Sequence, residues 1–334
     1  MSSKVDRAIE AHHSYKERGS KNTAREYRRH IRQFRDYLRG DVDGVESGCD
    51  ADPFDCHAGH VEDFYQWMLD EGYAPSSVRV AHAALGDFYE QVETYGDDGR
   101  RGFPTVVVDV DPTENATPER LDGMHSSSKK DVEGGDKPLT RDEVSELVDN
   151  VPAPTIRNEL IVRLLYQTGM RRSELVRVKL DHIDRENRRI TVYGKKTDES
   201  RTVWYQSSLD WHLTQWIESE RDAVFNAAES DYLFPTRRDE MMSEQTVTDV
   251  VTEAAENADL QETIYQNRAG QSVRRVGAHT LRKSFGVHFI NSGGDISFLM
   301  ELLGHENIET TKENYLKYSE KDLRESVARH GPSV

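Results

Sequence analysis

Five short motifs in the second half of the 334-residue chain carry side chains suited to chemistry on a phosphate ester. They are TGMRRSEL at 168–175, GKKTDESRTV at 194–203, HTLR at 279–282, LLGHENI at 302–308 and TTKENYLKY at 310–318. Arginine keeps a permanent charge whose fork shape fits two phosphate oxygens, and histidine can donate hydrogen bonds to such oxygens. A tyrosine oxygen can attack phosphorus to form a covalent intermediate. Because a phenol has a pKa of about 10, nearby cations are needed to favour its reactive phenolate.

The same half of the chain gives no sign of a nucleotide or metal requirement. It contains no glycine-rich phosphate loop of the G-x-x-x-x-G-K-[ST] type. Elsewhere, Cys49, Cys56, His57 and His60 lie near one another in sequence, but their spacing matches no standard zinc site. We therefore predict neither a cofactor nor a bound metal.

Together and in this order, the five motifs resemble the active-site motifs of the tyrosine recombinase family, also called the phage integrases. The resemblance covers about residues 139–325. It implies a site-specific DNA recombinase that cleaves and rejoins DNA through a 3′-phosphotyrosine intermediate and a Holliday junction. The catalytic set that it implies is Arg171 with its supporting acid Glu174, Lys196, His279, Arg282, His305 and the nucleophile Tyr315.

Two residues of the implied catalytic set, the nucleophile and the hairpin lysine, each have an alternative candidate in the sequence. Tyr315 lies one residue further from His305 than the family's nucleophile usually does, and Tyr318 follows one turn later. We prefer Tyr315 because Tyr318 would depart further from the family's usual spacing between this histidine and the nucleophile. The hairpin lysine, which would protonate the departing 5′ oxygen, is Lys195 when the chain is aligned from the preceding strand. It is Lys196, which we prefer, when the alignment runs from the following strand.

The resemblance also implies partners and leaves rival functions open. Members of the family act on double-stranded DNA as homotetramers on two recombination sites, and many come from viruses or other mobile elements. A type IB topoisomerase-like enzyme that relaxes DNA would use the same chemistry. A non-catalytic DNA-binding regulator would keep the fold without the reaction, but the complete set of catalytic side chains argues against it.

Local sequence patterns indicate the elements that hold these motifs. The alternation of RRITVYG and SRTVWY on either side of KKTDE predicts a β-hairpin. An apolar helix that contains residues 160–165 is expected to end at Gly169, just before Arg171. Asp295 is a candidate cap for another helix that ends at Gly304, which leaves His305 on the following turn.

The fold is expected to be mainly α with a small antiparallel β-sheet, which is an α+β arrangement. Residues 1–110 predict an all-α domain that corresponds in size to the family's core-binding, DNA-binding domain. Residues 111–138 are rich in Pro, Gly, Ser and charged residues and predict an exposed linker. The resemblance implies that residues 139–334 form the catalytic integrase domain.

The net charge of −17, from 44 Lys and Arg against 61 Asp and Glu, does not exclude DNA as a partner. The acidic residues are spread along the whole chain, as in halophilic proteins kept soluble in concentrated salt, where charges are screened beyond about 3 Å. Basic residues instead cluster in two segments, 16–39 and 268–283. The DNA contacts that we predict are Lys21, Arg25, Arg28, Arg29, Arg32, Arg274 and Arg275.

The sequence contains no segment that predicts a membrane span or a secretion signal. No apolar run approaches the roughly 18–20 residues that a membrane helix needs. The N-terminal stretch MSSKVDRAIEAHH lacks the apolar core of a signal peptide. We therefore expect no membrane partner and a cytoplasmic location.

Overall fold

A computed structural model of the chain describes residues 3–45, 48–49, 51–108, 110–121, 124, 137–194, 200–266 and 272–304. The chain divides into two compact units, Met1–Asp131 and Val132–Val334. The expectation of a mainly α fold with a small antiparallel sheet is confirmed. Within the ranges described, no helix is both long enough and apolar enough to cross a membrane.

Long helices form the described part of the first unit. They are α1 (Lys4–Glu17), α2 (Lys21–Arg39), α3 (Ala58–Asp70) and α4 (Pro75–Gly96). Helix α2 is rich in arginine, yet it buries Ile31, Phe34 and Leu38 completely. These positions lie on one stripe of a helix, so the arginines of α2 lie mostly on the opposite side.

The expectation that 111–138 is exposed is wrong for its first part. Ala116 is fully buried and Met124 is 3% exposed, and both pack in the core of the first unit. Close by, Asp111 accepts hydrogen bonds from the backbone and the hydroxyl of Thr113. Such a turn satisfies its polar groups locally, so the segment can lie against a core. Composition does not reveal this packing because the apolar residues are isolated among charged ones.

The second unit combines helices with two small sheets. Its described elements are α5 (Arg141–Asp149), α6 (Thr155–Thr168), α7 (Arg172–Leu175), β1 (Ile183–Asp184), β2 (Arg189–Tyr193), β3 (Ser200–Trp204), α8 (Asp210–Gln215), α9 (Glu244–Asn257), β4 (Thr263–Gln266), β5 (Ser272–Arg274), α10 (Ala278–Asn291) and α11 (Ile296–Leu303). The predicted helix end at Gly169 is confirmed. The predicted helix between Asp295 and Gly304 is confirmed as α11, and the Asp295 side chain caps it.

The larger sheet is antiparallel, in the order β1-β2-β3. β2 and β3 form the predicted hairpin, in which Val192 pairs with Arg201 and Ile190 pairs with Val203. The three apolar members of these pairs are buried, so this face of the hairpin packs on the helical core. Neither β1 nor the β4–β5 hairpin follows from the sequence pattern, since these strands are short and polar.

Helix α6 ends at the first residue of the TGMRRSEL motif, and half of its residues are buried. Leu160, Ile161, Val162 and Leu164 are all fully buried, and α6 packs against α5, α8, α9 and α10. A helix that is apolar around most of its circumference belongs in a core. Each such side chain contributes about 1.5–3 kcal/mol through burial. The turn that follows α6 is therefore firmly positioned.

Candidate active site

The turn after α6 delivers Arg171 to the surface of the second unit. Gly169 ends the helix with a left-handed φ of 62°. A Cβ atom at this position would lie 2.5 Å from Cδ1 of Phe285 and 2.8 Å from Cδ2 of Leu303. Glycine is thus required both for the backbone angle and for the close approach of these side chains. Arg171 follows two residues later, with 46% of its side chain exposed.

Glu174 provides a buried carboxylate beside Arg171. Its side chain is 2% exposed. Arg171 donates to it from its backbone N–H at 2.7 Å and from Nη1 at 2.9 Å. Arg201 donates to it from Nη1 at 2.6 Å and from Nη2 at 2.8 Å. These four donors match the roughly four lone-pair directions that a carboxylate offers.

The same donors keep Glu174 ionised. Burial by itself raises the pKa of a carboxyl group. For Glu174 the hydrogen bonds and positive charges of Arg201 and Arg171 outweigh burial, and they hold its pKa below the ordinary value. The carboxylate is therefore charged at neutral pH and can compensate one of the two arginines.

Sequence reasoning missed Arg201. This residue lies on β3 two positions before the buried Val203, so both side chains belong to the inward-facing side of the strand. The Arg201 side chain is 15% exposed. Its Nε donates to the carbonyl of Leu302 at 2.8 Å, in addition to its two bonds to Glu174. An arginine at an inward-facing strand position needs a buried counter-charge, and that pattern is the signal by which the sequence could have revealed it.

Arg282 reaches the same region from α10. Only 3% of it is exposed. Its Nη1 donates to the carbonyl of Gly169 and its Nη2 to the carbonyl of Leu303, both at 2.7 Å. Arg282 thus links the turn after α6 to the end of α11. His279 is exposed one turn earlier, as the second residue of α10, where backbone N–H groups give partial positive charge.

The last carbonyl groups of α11 bring three arginines together. The end of a helix leaves such carbonyls without intrahelical partners and with partial negative charge. Arg201 donates to Leu302 at 2.8 Å, Arg282 to Leu303 at 2.7 Å and Arg171 to Gly304 at 3.3 Å. Each of three consecutive acceptors is therefore bound by an arginine from a different element, immediately before His305 in the sequence.

The described structure contains only part of the predicted catalytic set. Outside the described residues lie Lys196 with its alternative Lys195, His305, and Tyr315 with its alternative Tyr318. The structure brings Arg171, Glu174 and Arg282 together around the end of α11, and it places His279 on the same helix as Arg282.

Comparison with known proteins identifies the family. The family model for phage integrases matches residues 137–322, more than half of the chain, and the model for the N-terminal SAM-like domain of phage integrases matches residues 4–95. The chain belongs to the phage integrase family. It is 28% identical to the tyrosine recombinase XerD of Pseudomonas aeruginosa over 98% of this chain and 97% of that protein. It is 35% identical to the tyrosine recombinase XerA of Pyrococcus furiosus, with 58% of this chain and 61% of that protein covered. The protein is thus a tyrosine recombinase, an enzyme of site-specific recombination.

A solved integrase shares the fold. The structure of the Tn1549 transposon integrase in complex with transposon right end DNA matches with a TM-score of 0.65 and 15% identity. The match covers 97% of this chain and 99% of that chain. It supports the phage-integrase fold for the described helices and strands.

In the SAM-like domain, the predicted DNA-contacting residues lie along α2. Lys21, Arg25 and Arg32 are exposed, whereas Arg28 and Arg29 are half-buried. The four arginines line a groove of about 810 Å³. Glu26 and Asp36 also line the groove, but the arginines outnumber them, and positive side chains along a groove suit a phosphate backbone.

Some of these arginines already have partners within the domain. Glu10 of α1 accepts a hydrogen bond from Nη1 of Arg28 at 3.3 Å and one from Nη2 of Arg32 at 2.6 Å. Nη2 of Arg29 lies 2.9 Å from Nε2 of His30. Burial and the charge of Arg29 lower the pKa of His30 to about 4, so its neutral ring can accept this bond. A phosphate in the groove must therefore compete with Glu10.

The other two predicted DNA contacts, Arg274 and Arg275, take part in ion pairs. Arg274 is exposed at the end of β5 and pairs with Glu256 of α9. Arg275 is 12% exposed, and its Nη2 donates to Oε1 of Glu143 in the first turn of α5 at 2.7 Å. Arg274 thus faces solvent, whereas Arg275 connects two elements of the integrase domain.

Proposed function

We propose that the protein recombines double-stranded DNA at specific sites through a 3′-phosphotyrosine intermediate. The observation that carries the proposal is the binding of Arg171 and Arg282 to the end of α11, directly before His305 in the chain. At this point Arg171 and Arg201 share the carboxylate of Glu174, and Arg282 donates to the carbonyl of Leu303 at the same end of α11. Preorganised charge of this kind stabilises the negative charge that grows on a phosphate in the transition state.

Tyr315 is the proposed nucleophile. Its oxygen attacks the scissile phosphorus, the bond between phosphorus and the 5′ oxygen breaks, and a 3′-phosphotyrosine forms. His279 takes the phenol proton, and Lys196 donates a proton to the departing 5′ oxygen. Arg171, Arg282 and His305 bind the nonbridging oxygens. The 5′ hydroxyl of a partner strand then attacks the phosphotyrosine and releases Tyr315, which yields a Holliday junction after the first exchange.

Arg171 is the arginine best placed to reach a bound phosphate. Its side chain is 46% exposed, whereas that of Arg201 is 15% exposed. Arg282 is almost fully buried and donates to two backbone carbonyls, so it also holds the turn after α6 and the end of α11 together. Arg171 thus serves mainly for direct contact, whereas Arg282 combines contact with support of the site.

The proposed partner is duplex DNA, held by a homotetramer on two recombination sites. Lys21 and the arginines of the α2 groove would contact the phosphate backbone, together with the exposed Arg274. The likeness to a transposon integrase solved with DNA supports both DNA as the partner and an origin in a mobile element. The net charge of −17 supports a halophilic source, and DNA as the substrate supports action in the cytoplasm.

Covalent capture tests the proposed chemistry. The full chain first selects bound duplexes from a random-sequence library, and nicked substrates are then built on the selected sequence. Wild type and Tyr318→Phe are expected to form a protein–DNA adduct that resists denaturation, and Tyr315→Phe is expected to form none. An adduct that survives in Tyr315→Phe but disappears in Tyr318→Phe would make Tyr318 the nucleophile. No adduct from the wild type would favour a non-catalytic regulator.

A second assay separates recombination from relaxation. Two duplexes that carry the selected site and different labels are expected to exchange strands in the presence of the wild type. Relaxation of a supercoiled circle without the selected site, and without strand exchange, would instead indicate a type IB topoisomerase-like enzyme. The Tyr315→Phe variant is the control in both assays, because it differs from the wild type only in the attacking oxygen.

A further inference from the structure

Arg201 takes no step in the reaction proposed above. Its side chain nevertheless contacts both the Glu174–Arg171 pair and the end of α11. It binds the carboxylate of Glu174 with two nitrogens and the carbonyl of Leu302 with the third. We propose that Arg201 is a positioning residue that holds the Glu174–Arg171 pair in a fixed place against the end of α11. This role rests on the recombinase chemistry proposed above.

Two arginines share the one negative charge of Glu174. Arg201 forms a two-pronged pair with Glu174, with bonds of 2.6 and 2.8 Å. The Arg171 side chain makes one bond of 2.9 Å to the same carboxylate and a bond of 3.3 Å to Gly304. Charge-assisted bonds are stronger when they are short and paired, so Arg201 takes the larger share of the carboxylate. Arg171 is held in place but keeps most of its positive charge for a phosphate.

Arg201 also contacts the end of α11 directly. Besides the bond from Nε to the Leu302 carbonyl, the Arg201 side chain lies flat against Gly304. A Cβ atom on Gly304 would be 3.2 Å from Cδ and 3.3 Å from Nη1 of Arg201. Gly304 has a left-handed φ of 62°, which ends the helix one residue before His305. Arg201 therefore contacts the point where the chain leaves α11.

The contacts at position 201 depend on an arginine side chain in particular. The bonds from Arg201 run in one plane from a rigid fork, to Glu174 on one side and to Leu302 on another. Lysine carries the same charge at a single flexible point and cannot reproduce such a set. Loss of the fork is thus expected to change geometry even when the charge is kept.

The test compares variants of the full chain on the nicked substrate. Arg201→Lys and Arg201→Met are measured beside Arg189→Met, a matched control on the neighbouring strand β2. Arg189 also pairs with one carboxylate, that of Asp184, but its side chain is 54% exposed. The dissociation constant for DNA and the rate of adduct formation at saturating DNA are determined for each protein.

Both Arg201 variants are expected to lose about 10- to 100-fold in the saturating rate, because small displacements of catalytic groups are costly. Their dissociation constants are expected to change by no more than about threefold, since Arg201 does not face solvent and binding is mainly to the phosphate backbone. The Arg189→Met variant is expected to match the wild type in both quantities.

A double variant, Arg201→Met with Glu174→Gln, separates positioning from charge balance. If Arg201 only neutralised a buried carboxylate, removal of both charges would restore the melting temperature and the rate together, and that result would overturn the proposal. The expected result is recovery of the melting temperature with a rate that stays low.

The remaining outcomes distinguish this proposal from the proposed function. A wild-type rate in Arg201→Lys, with Tyr315-dependent adducts still formed, would overturn the positioning role and leave the recombinase chemistry standing. An equal loss of rate in Arg189→Met would also overturn it, since the effect would then belong to the hairpin in general. Absence of any Tyr315-dependent adduct from the wild type would overturn both.

Discussion

Replacement of Glu174 by glutamine is expected to destabilise the second unit strongly. The carboxylate is 2% exposed and receives hydrogen bonds from Arg171 and Arg201. Glutamine has nearly the same size, but it lacks the charge and turns an NH2 group toward donors. Removing one partner of a buried ion pair costs about 3–5 kcal/mol. Because Arg171 is 46% exposed and regains water, we expect the lower end, about 3 kcal/mol.

Thermal unfolding followed by tryptophan fluorescence measures this loss. Of the 4 tryptophans, Trp204, Trp211 and Trp216 lie in the second unit. One kcal/mol shifts the midpoint of a unit of this size by about 2–4 °C, so a fall of about 6–12 °C is expected. The control is Glu218→Gln, whose carboxylate is 55% exposed and pairs with Arg185. It is expected to cost less than about 1 kcal/mol. A Glu174→Gln midpoint within about 2 °C of this control would refute the reasoning.

The pH dependence of the same pair of proteins provides a second readout. Despite burial, the arginines lower the pKa of Glu174 in the folded state, so the unfolded chain binds a proton more readily there. The stabilisation is therefore fully present above the unfolded pKa of about 4.3 and is lost as the pH falls through the lower folded pKa. The midpoint difference between wild type and Glu174→Gln is expected to be largest near neutral pH and to shrink in this acidic window. A difference that stays constant through the window would contradict the assigned charge.

The remaining predictions concern helix α11, the α2 groove and salt. Gly304→Ala is expected to destabilise by about 1–2 kcal/mol in urea unfolding, because its φ is 62° and the new Cβ presses on Arg201. An unchanged urea midpoint would argue against this conformation. Glu10→Gln is expected to tighten DNA binding about threefold in fluorescence anisotropy, because Arg28 and Arg32 lose their internal partner. Weaker binding would show that Glu10 orients these arginines instead. Binding of the wild type is expected to persist at about 1 M salt, as the net charge of −17 indicates a surface adapted to screening. Collapse of binding at modest salt would contradict the halophilic interpretation.

Those parts of the fold that depend on neighbours in sequence could be predicted. The cap at Asp295 and the left-handed glycines that end α6 and α11 all act within a few residues of where they lie. The β2–β3 hairpin likewise follows from alternation on both sides of one turn. The motifs that carry Arg171, Glu174 and Arg282 are recognisable because each is short and continuous.

Contacts between distant segments could not be predicted in the same way. Arg201 reaches Glu174 across 27 residues and Leu302 across 101 residues, and no local pattern encodes either distance. The pairing of Arg28 and Arg32 with Glu10 depends on how α1 packs on α2. The buried part of the predicted linker depends on a surface that only the folded helices create.

The end of α11 also constrains how this chain can change over evolutionary time. The three groups that the arginines bind there are backbone carbonyls, so most side-chain substitutions along α11 leave them where they are. One inserted or deleted residue, in contrast, rotates the end of a helix by about 100° and shifts it by about 1.5 Å. The three carbonyls would then no longer meet their arginines. Between Asp295 and His305, the number of residues is therefore under tighter constraint than the identity of most of them.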